Sequence, residues 1–212
     1  MGQALPSRLS HEEEVAVFGG EEATMKRIAE RIQAGDIRRV LAVVGAGASV
    51  AAGIPDFRSP TTGLYQSPTL RKYELPHPEA IFDIDYFRED PQPFFHLARE
   101  LLPANVRPTR VHAFLRLLAD KDILLRVYTQ NIDCLEREAG VPEEKLVETH
   151  GSFQTATCQS CYRRYSKRYV ERILEDVAEE PHVTIPKCEL CDGVVKPGAS
   201  VILDECGRSG TL

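Results

Sequence analysis

At 212 residues the chain has room for one large domain, or for one domain carrying a small insert. Its 42 % apolar and 27 % charged residues are ordinary for a globular protein, and a formal charge of −6 disfavours a nucleic-acid-binding surface over the whole chain. No apolar run approaches the roughly 18 residues that cross a bilayer, so neither a membrane nor a nucleic acid is an expected partner.

Residues 1–19 are polar, include Glu12-Glu13-Glu14 and show no periodicity, which reads as a flexible tail. Arg8 is the only Lys or Arg before Lys26, the opposite of an arginine-rich transit peptide. The expected address is therefore cytoplasmic or nuclear, with mitochondrial as the alternative. From Glu21 to Gln33, Met25, Ile28, Ala29 and Ile32 recur at helical spacing, with Gly35 as the stop. Val40–Val44 is a short valine-rich run that suits a buried parallel strand, and it runs directly into Gly45-Ala46-Gly47-Ala48-Ser49. A strand, then glycines, then a helix is an arrangement that cradles phosphate.

Alone the glycine loop is weak. A dinucleotide fingerprint wants a third glycine where Val50 stands, and an acidic residue about 20 positions on, where Tyr65 stands. Its continuation, Ala52-Gly53-Ile54-Pro55-Asp56-Phe57-Arg58-Ser59, adds an arginine suited to a diphosphate or an acid and a ring able to shield a reactive carbon from water. Five prolines between residues 54 and 78 mark a long loop, and long loops in compact domains are usually functional.

Helices are expected at Pro93–Leu102 and Val111–Ala119, the second capped by Thr109. Strands are expected at Ile123–Tyr128 and Lys145–Thr149, with a short helix over Ile132–Ala139 closed by Gly140. Alternating strands and helices imply an α/β domain with a parallel sheet. At the carboxyl ends of the two later strands stand Thr129-Gln130-Asn131-Ile132-Asp133 and Glu148-Thr149-His150-Gly151, where open sheets gather ligand contacts. Gln130 and Asn131 suit ribose hydroxyls, Asp133 can accept from a carboxamide, and histidine exchanges protons near neutral pH, as a general base must. His11, His77, His96, His112 and His182 lack such neighbours and read as surface or packing residues.

Cys158-Gln-Ser-Cys161 and Cys188-Glu-Leu-Cys191, with 26 residues between the pairs, have the spacing of a closed tetrahedral Zn²⁺ site whose role is structural. Two disulfides or four unrelated thiols are the alternative. The start Met1-Gly2-Gln3, without an apolar signal segment, argues for a reducing compartment instead. Between the pairs, Tyr162–Tyr169 is basic and Val170–Val177 has helical spacing; a solvated face on a small zinc module is the reading, with a nucleic-acid patch as the alternative.

These motifs together resemble the sirtuin family of NAD-dependent protein-lysine deacylases. The carrying residues are Gly45–Ser49, Gly53–Pro60, Thr129–Asp133, His150-Gly151 and the four cysteines, over a span from about Ile28 to Pro197. The resemblance implies a partial doubly wound, Rossmann-like α/β sheet with a zinc-binding insert, divided as 20–157 for the NAD-binding part and 158–195 for the zinc module. It also implies the chemistry. An acetyl-lysine oxygen displaces nicotinamide from NAD, and the acetyl group ends on ADP-ribose with His150 as base and Asn131 in a catalytic position. By the same resemblance Gly45, Ala46, Gly47, Ser49, Asp56, Phe57, Arg58, Gln130, Asn131, Asp133 and His150 surround NAD. Cys134, next to Asp133, is either a tolerated small side chain or a thiol open to oxidation near NAD.

After Pro197 the resemblance stops, and 196–212 reads as a divergent tail on a chain truncated relative to the family. The expectations this leaves are an NAD-dependent protein deacetylase, an impaired isoform acting as a zinc-bearing binding module, or an ADP-ribosyltransferase.

Overall fold

The computed structural model describes residues 10, 12, 15, 19, 24–101, 106–166, 168, 169, 172 and 185–198. The expected tail over 1–19 lies almost wholly outside the described residues. So do most of Val170–Val177, the stretch after Gly198, and His11, His182 and Cys206. Residues 1–40 and 41–212 form two compact units.

In the first unit, α1 (Met25–Ala34) starts where the Thr24 hydroxyl accepts the Arg27 N–H at 3.2 Å. It ends at Gly35, whose φ of 80° lets its N–H turn back to the carbonyls of Arg31 and Ile32. That left-handed conformation is why glycine serves as the stop.

The second unit is built on a parallel sheet of three strands in the order β1-β2-β3: β1 (Val40–Val44, beginning at the unit boundary), β2 (Leu124–Thr129) and β3 (Leu146–Glu148). β2 and β3 are in parallel register, Val127 opposite Leu146 and Thr129 opposite Glu148. Central strand β2 buries Leu124 and Val127, as its apolar run requires. β1 departs from expectation: Leu41 is 56 % and Val43 66 % exposed, so this strand is not buried on both faces. An all-apolar run of five residues does not tell which face is covered, and the period of two leaves alternate side chains outside.

The glycines after β1 lead into two 3₁₀ turns, Ala46–Ala48 and Val50–Ala52, instead of the expected α-helix. Residues 54–78 are mostly loop, with a 3₁₀ turn at Leu64–Gln66 and the one-turn helix α2 (Pro68–Arg71). Gly63 is obligatory in this loop because a Cβ there would stand 2.6 Å from the Ser59 backbone. Ile54, Leu64 and Leu70 anchor the loop in the core.

α3 (Ile84–Glu89) is capped by the Asp83 carboxylate on the N–H groups of Asp85 and Tyr86. Together with α4 (Gln92–Leu101) it supplies Phe87, Phe94 and Phe95, which meet edge to face at 5.2 Å and 5.7 Å. α5 (Arg110–Asp120) starts at the expected Thr109 cap. α6 covers only Leu135–Glu138, shorter than the expected Ile132–Ala139. The Asp133 carboxylate takes the Leu135 N–H and Cys134 adopts φ 67°, so the segment before Leu135 turns instead of coiling.

A second, antiparallel sheet has the order β5-β4-β6, from β4 (Thr155–Cys158), β5 (Arg164–Ser166) and β6 (Val195–Pro197). Part of the basic segment is thus a strand. Lys196 on β6 is 3 % exposed, with its Nζ 4.2 Å from the centre of the Phe94 ring and 5.4 Å from that of Phe87.

Burial pushes the Lys196 pKa down to about 7, while the ring faces favour the cation. Between pH 7 and the ordinary lysine range the unfolded chain holds a proton that the folded chain has released. Stability from this group therefore rises with pH across that window. Relative to wild type, Lys196→Met is expected to remove a rise of up to about 1.4 kcal/mol per pH unit in urea melts between pH 7 and 10. Parallel pH profiles for the two proteins would contradict this.

Candidate functional site

The parallel strands end on one side, and the chain turns there bring three segments together. The Gln130 N–H donates to the Val44 carbonyl at 3.0 Å, joining the end of β1 to the loop after β2. The Asn131 amide donates to the Gly45 carbonyl at 3.1 Å and reaches the Ser49 hydroxyl at 3.3 Å. Ser49 in turn donates to the Asp133 carboxylate at 2.6 Å. Asn131, Asp133 and Ser49 are all buried, so the Asn131–Ser49 and Ser49–Asp133 bonds are made away from water and fix the turn geometry.

His150 closes the group from the third segment. Its Nδ1 lies 2.9 Å from the Gln130 carbonyl, and its side chain is exposed. A carbonyl only accepts, so Nδ1 carries the proton and Nε2 presents a basic lone pair. Thr149 holds the backbone in place, with N–H and hydroxyl both on the Thr129 carbonyl at 2.9 Å and 2.8 Å.

The 56–58 segment is organised differently. Asp56 accepts the N–H groups of Arg58 and Ser59 and the Ser59 hydroxyl, the last at 2.6 Å. The Ser59 bonds hold its carboxyl below the usual range. Asp56 is thus a brace of the loop itself. Phe57 packs against Tyr65 and Phe82 at 5.8 Å and 5.7 Å between ring centres. Arg58 is largely exposed, 3.9 Å from Glu79. Among the described residues no hydrogen bond joins this segment to Asn131, Asp133 or His150.

Sequence reading missed a layer beneath the cluster. His112 was expected to be a surface or packing residue; it is buried and closes a capping box, its Nδ1 accepting the Thr109 N–H at 3.1 Å. The Thr109 hydroxyl donates to the Ala48 carbonyl at 2.8 Å, tying α5 to the glycine loop. Buried Glu136 accepts the Thr129 hydroxyl at 2.7 Å, and Thr129 accepts the Asn131 N–H at 3.1 Å. Burial holds the Glu136 carboxyl above its usual range and the His112 imidazole below its own, so both favour their neutral forms. The signal available in the sequence was Thr109 three residues before His112.

The four cysteines lie together, with every sulfur within 4.8 Å of the others. Cys158 and Cys191 are 3.5 Å apart at sulfur, Cys161 and Cys188 3.6 Å. A tetrahedron of 2.3 Å zinc–sulfur bonds puts its sulfurs about 3.8 Å apart, whereas a disulfide needs about 2.05 Å. The donor set therefore fits zinc and excludes the disulfide alternative. Backbone N–H groups of Ser160 and Cys161 point at the Cys158 sulfur, and that of Leu190 at Cys188.

The buried Tyr165 hydroxyl donates to Cys188 at 3.1 Å while accepting the Glu189 N–H, and this bond is the main force drawing the Cys188 thiol down to about 6 against its burial. Tyr165→Phe is expected to weaken zinc binding by roughly 10–100-fold in chelator competition, the usual loss when an outer partner of a metal ligand is removed. Unchanged affinity would reduce Tyr165 to a packing residue.

Comparison with known proteins adds a family context. A model of the Sir2 family matches residues 45–203. The chain is 52 % identical over 189 residues to the NAD-dependent deacetylase sir2A of Dictyostelium discoideum, covering 89 % of this chain and 35 % of that protein. It is 47 % identical over 173 residues to the NAD-dependent protein deacetylase hst2 of Schizosaccharomyces pombe, covering 82 % of this chain and 50 % of that protein. Against the NAD-dependent protein deacetylase sirtuin-3 of Mus musculus the identity is 49 % over 185 residues, covering 85 % and 53 %. The chain spans about half the length, or less, of these curated relatives.

Proposed function

The chain belongs to the Sir2 family, and from that membership we propose that it is an NAD-dependent protein-lysine deacetylase. The observation that carries the reading is His150, with Nδ1 on the Gln130 carbonyl and Nε2 free, beside the buried Asn131–Ser49–Asp133 cluster. NAD would supply a ribose carbon bearing nicotinamide as leaving group. Acetyl-lysine in a protein would supply the carbonyl oxygen that takes its place.

The residues of this chain divide the remaining work. Nε2 of His150 takes a proton from a ribose hydroxyl, as a correctly oriented base can. Asn131 has its backbone N–H on Thr129 and its amide on Gly45 and Ser49, so it meets the ribose in one orientation. Asp133, its carboxylate fixed by the Ser49 hydroxyl and the Leu135 N–H, is assigned to a carboxamide N–H by the family reading. Gly45, Ala46 and Gly47 offer backbone N–H groups to phosphate. Arg58, exposed and only distantly paired, is able to swing onto a phosphate, and Phe57 covers the reacting carbon. Asp56 holds the two in one loop. Zinc bound to Cys158, Cys161, Cys188 and Cys191 would have all four positions filled by sulfur, so it would hold the second sheet in place and take no part in the chemistry.

The test is incubation of the purified chain with NAD and an acetyl-lysine peptide, followed by mass spectrometry. Nicotinamide and acetyl-ADP-ribose in equal amounts are the expected products. ADP-ribose attached to protein would instead favour the transferase reading. Zinc-loaded protein releasing no nicotinamide would leave the binding-module reading in its place.

A further inference from the structure

β3 is three residues long and lies at the edge of its sheet, yet it carries the segment that presents His150. The His150 ring is exposed and tethered through Nδ1 to the Gln130 carbonyl, and a solvent-exposed hydrogen bond is a weak tether. Its geometry must therefore be set by how firmly residues 148–150 are held against residues 129–131.

Arg137, on α6, supplies that hold. Its Nε and Nη2 grip the two oxygens of Glu148 at 3.0 Å and 2.8 Å, a planar two-point fork. Its Nη1 also lies 3.2 Å from Glu143, in the turn before β3. One guanidinium thus brackets both ends of the strand. The Glu148 side chain is 13 % exposed and that of Glu143 82 %, so the Glu148 contact is the firmer of the two. Arg137 sits four residues after Asp133, so the fork joins the Asn131–Asp133 turn to the His150 turn by a route outside the strand ladder.

We propose that Arg137 is a positioning residue for His150: its fork on Glu148 fixes the end of β3 so that the imidazole stays docked through Nδ1 on Gln130 and keeps Nε2 as its basic nitrogen. This rests on the reading of His150 as the base, but it is tested without turnover. Lysine at 137 keeps the charge and loses the fork, since an ammonium is a point donor without the planar pair of N–H groups.

The experiment uses the full zinc-loaded chain with ¹⁵N-labelled histidine, the His150 signals being assigned through His150→Gln. In its neutral form the wild-type ring is expected to show a protonated Nδ1 and an unprotonated Nε2. In Arg137→Lys the two nitrogens should shift toward a mixture of tautomers. The amides of 149–151 should exchange roughly tenfold faster, as expected when a charge-assisted hydrogen bond is lost. Glu148→Gln, which keeps an acceptor but not the charge, should move the same signals in the same direction, and it decides the matter should Arg137→Lys fail to fold. Glu143→Gln should leave them in place. A lowered melting temperature with unchanged His150 nitrogens in the fork variants would make Arg137 a stability residue only and overturn the proposal, as would an Nε2–H tautomer in the wild type. Failure of the base assignment is a separate result: it would appear as undiminished acetyl-ADP-ribose formation in His150→Gln, with the tautomer data intact.

Discussion

Replacing His150 by alanine is expected to lower acetyl-ADP-ribose formation from NAD and acetyl-lysine peptide by about 10²–10⁴-fold, the range in which general bases contribute. The side chain is exposed and its one hydrogen bond in the described structure, to the Gln130 carbonyl, is solvent-exposed, so folding should be unaffected. Circular dichroism and the melting temperature should match the parent within error. Zinc content should match as well, because the cysteines lie at the end of β4 and in the turns around the other sheet. The contrast with His112 sharpens the test. His112 is fully buried and its Nδ1 caps α5, so His112→Ala is expected to cost stability whatever it does to rate. A His150→Ala protein within twofold of parental activity would remove the base assignment.

What the sequence made legible was whatever is encoded by local order. Val40–Val44 running into Gly45, and strands ending at Thr129 and Glu148, place their following residues on one side of a parallel sheet by topology alone. The two cysteine pairs likewise announce their sulfurs through spacing. What stayed hidden depends on which side chains meet across the fold. Thr109 reaches Ala48 over 61 positions, and Ser49 reaches Asp133 over 84. Glu136 and Arg137 read as ordinary polar residues of a short helix, although one turns inward to Thr129 and the other across to Glu148. The late start of α6 also lay below the resolution of periodicity: Asp133 and Cys134 bend the chain through a side-chain bond and a left-handed residue, and neither changes the apolar pattern. The exposed face of β1 escaped for the opposite reason, since five apolar residues carry no alternation to read.

Removal of zinc is expected to unfold the second sheet and to destabilise the helical core beside it. Metal analysis of protein purified without chelator should give one zinc per chain, and Cys188→Ser should retain little. The cause is geometric. Four sulfurs held within 4.8 Å of one another are compatible as zinc ligands, but as free thiolates they repel and as thiols they leave each other's lone pairs poorly satisfied. Nothing else of comparable strength joins the Cys158–Cys161 turn to the Cys188–Cys191 turn among the described residues. The consequence reaches beyond the sheet because Cys158 and Cys188 are buried in the cluster that includes Ala156, Phe153, Tyr165 and Val195, and continues to Phe87, Phe94 and Phe95. Structural zinc contributes on the order of 10 kcal/mol to folding in small domains, comparable with the whole stability of a typical one. Chelation should therefore lower the melting temperature sharply and expose the Phe87–Phe94–Phe95 cluster to a hydrophobic dye. Cobalt, which accepts the same four sulfurs, should restore both the fold and any deacetylase activity, because no coordination position is left for substrate. Metal-free protein that melts like the parent would show that the cysteine cluster is dispensable for the fold.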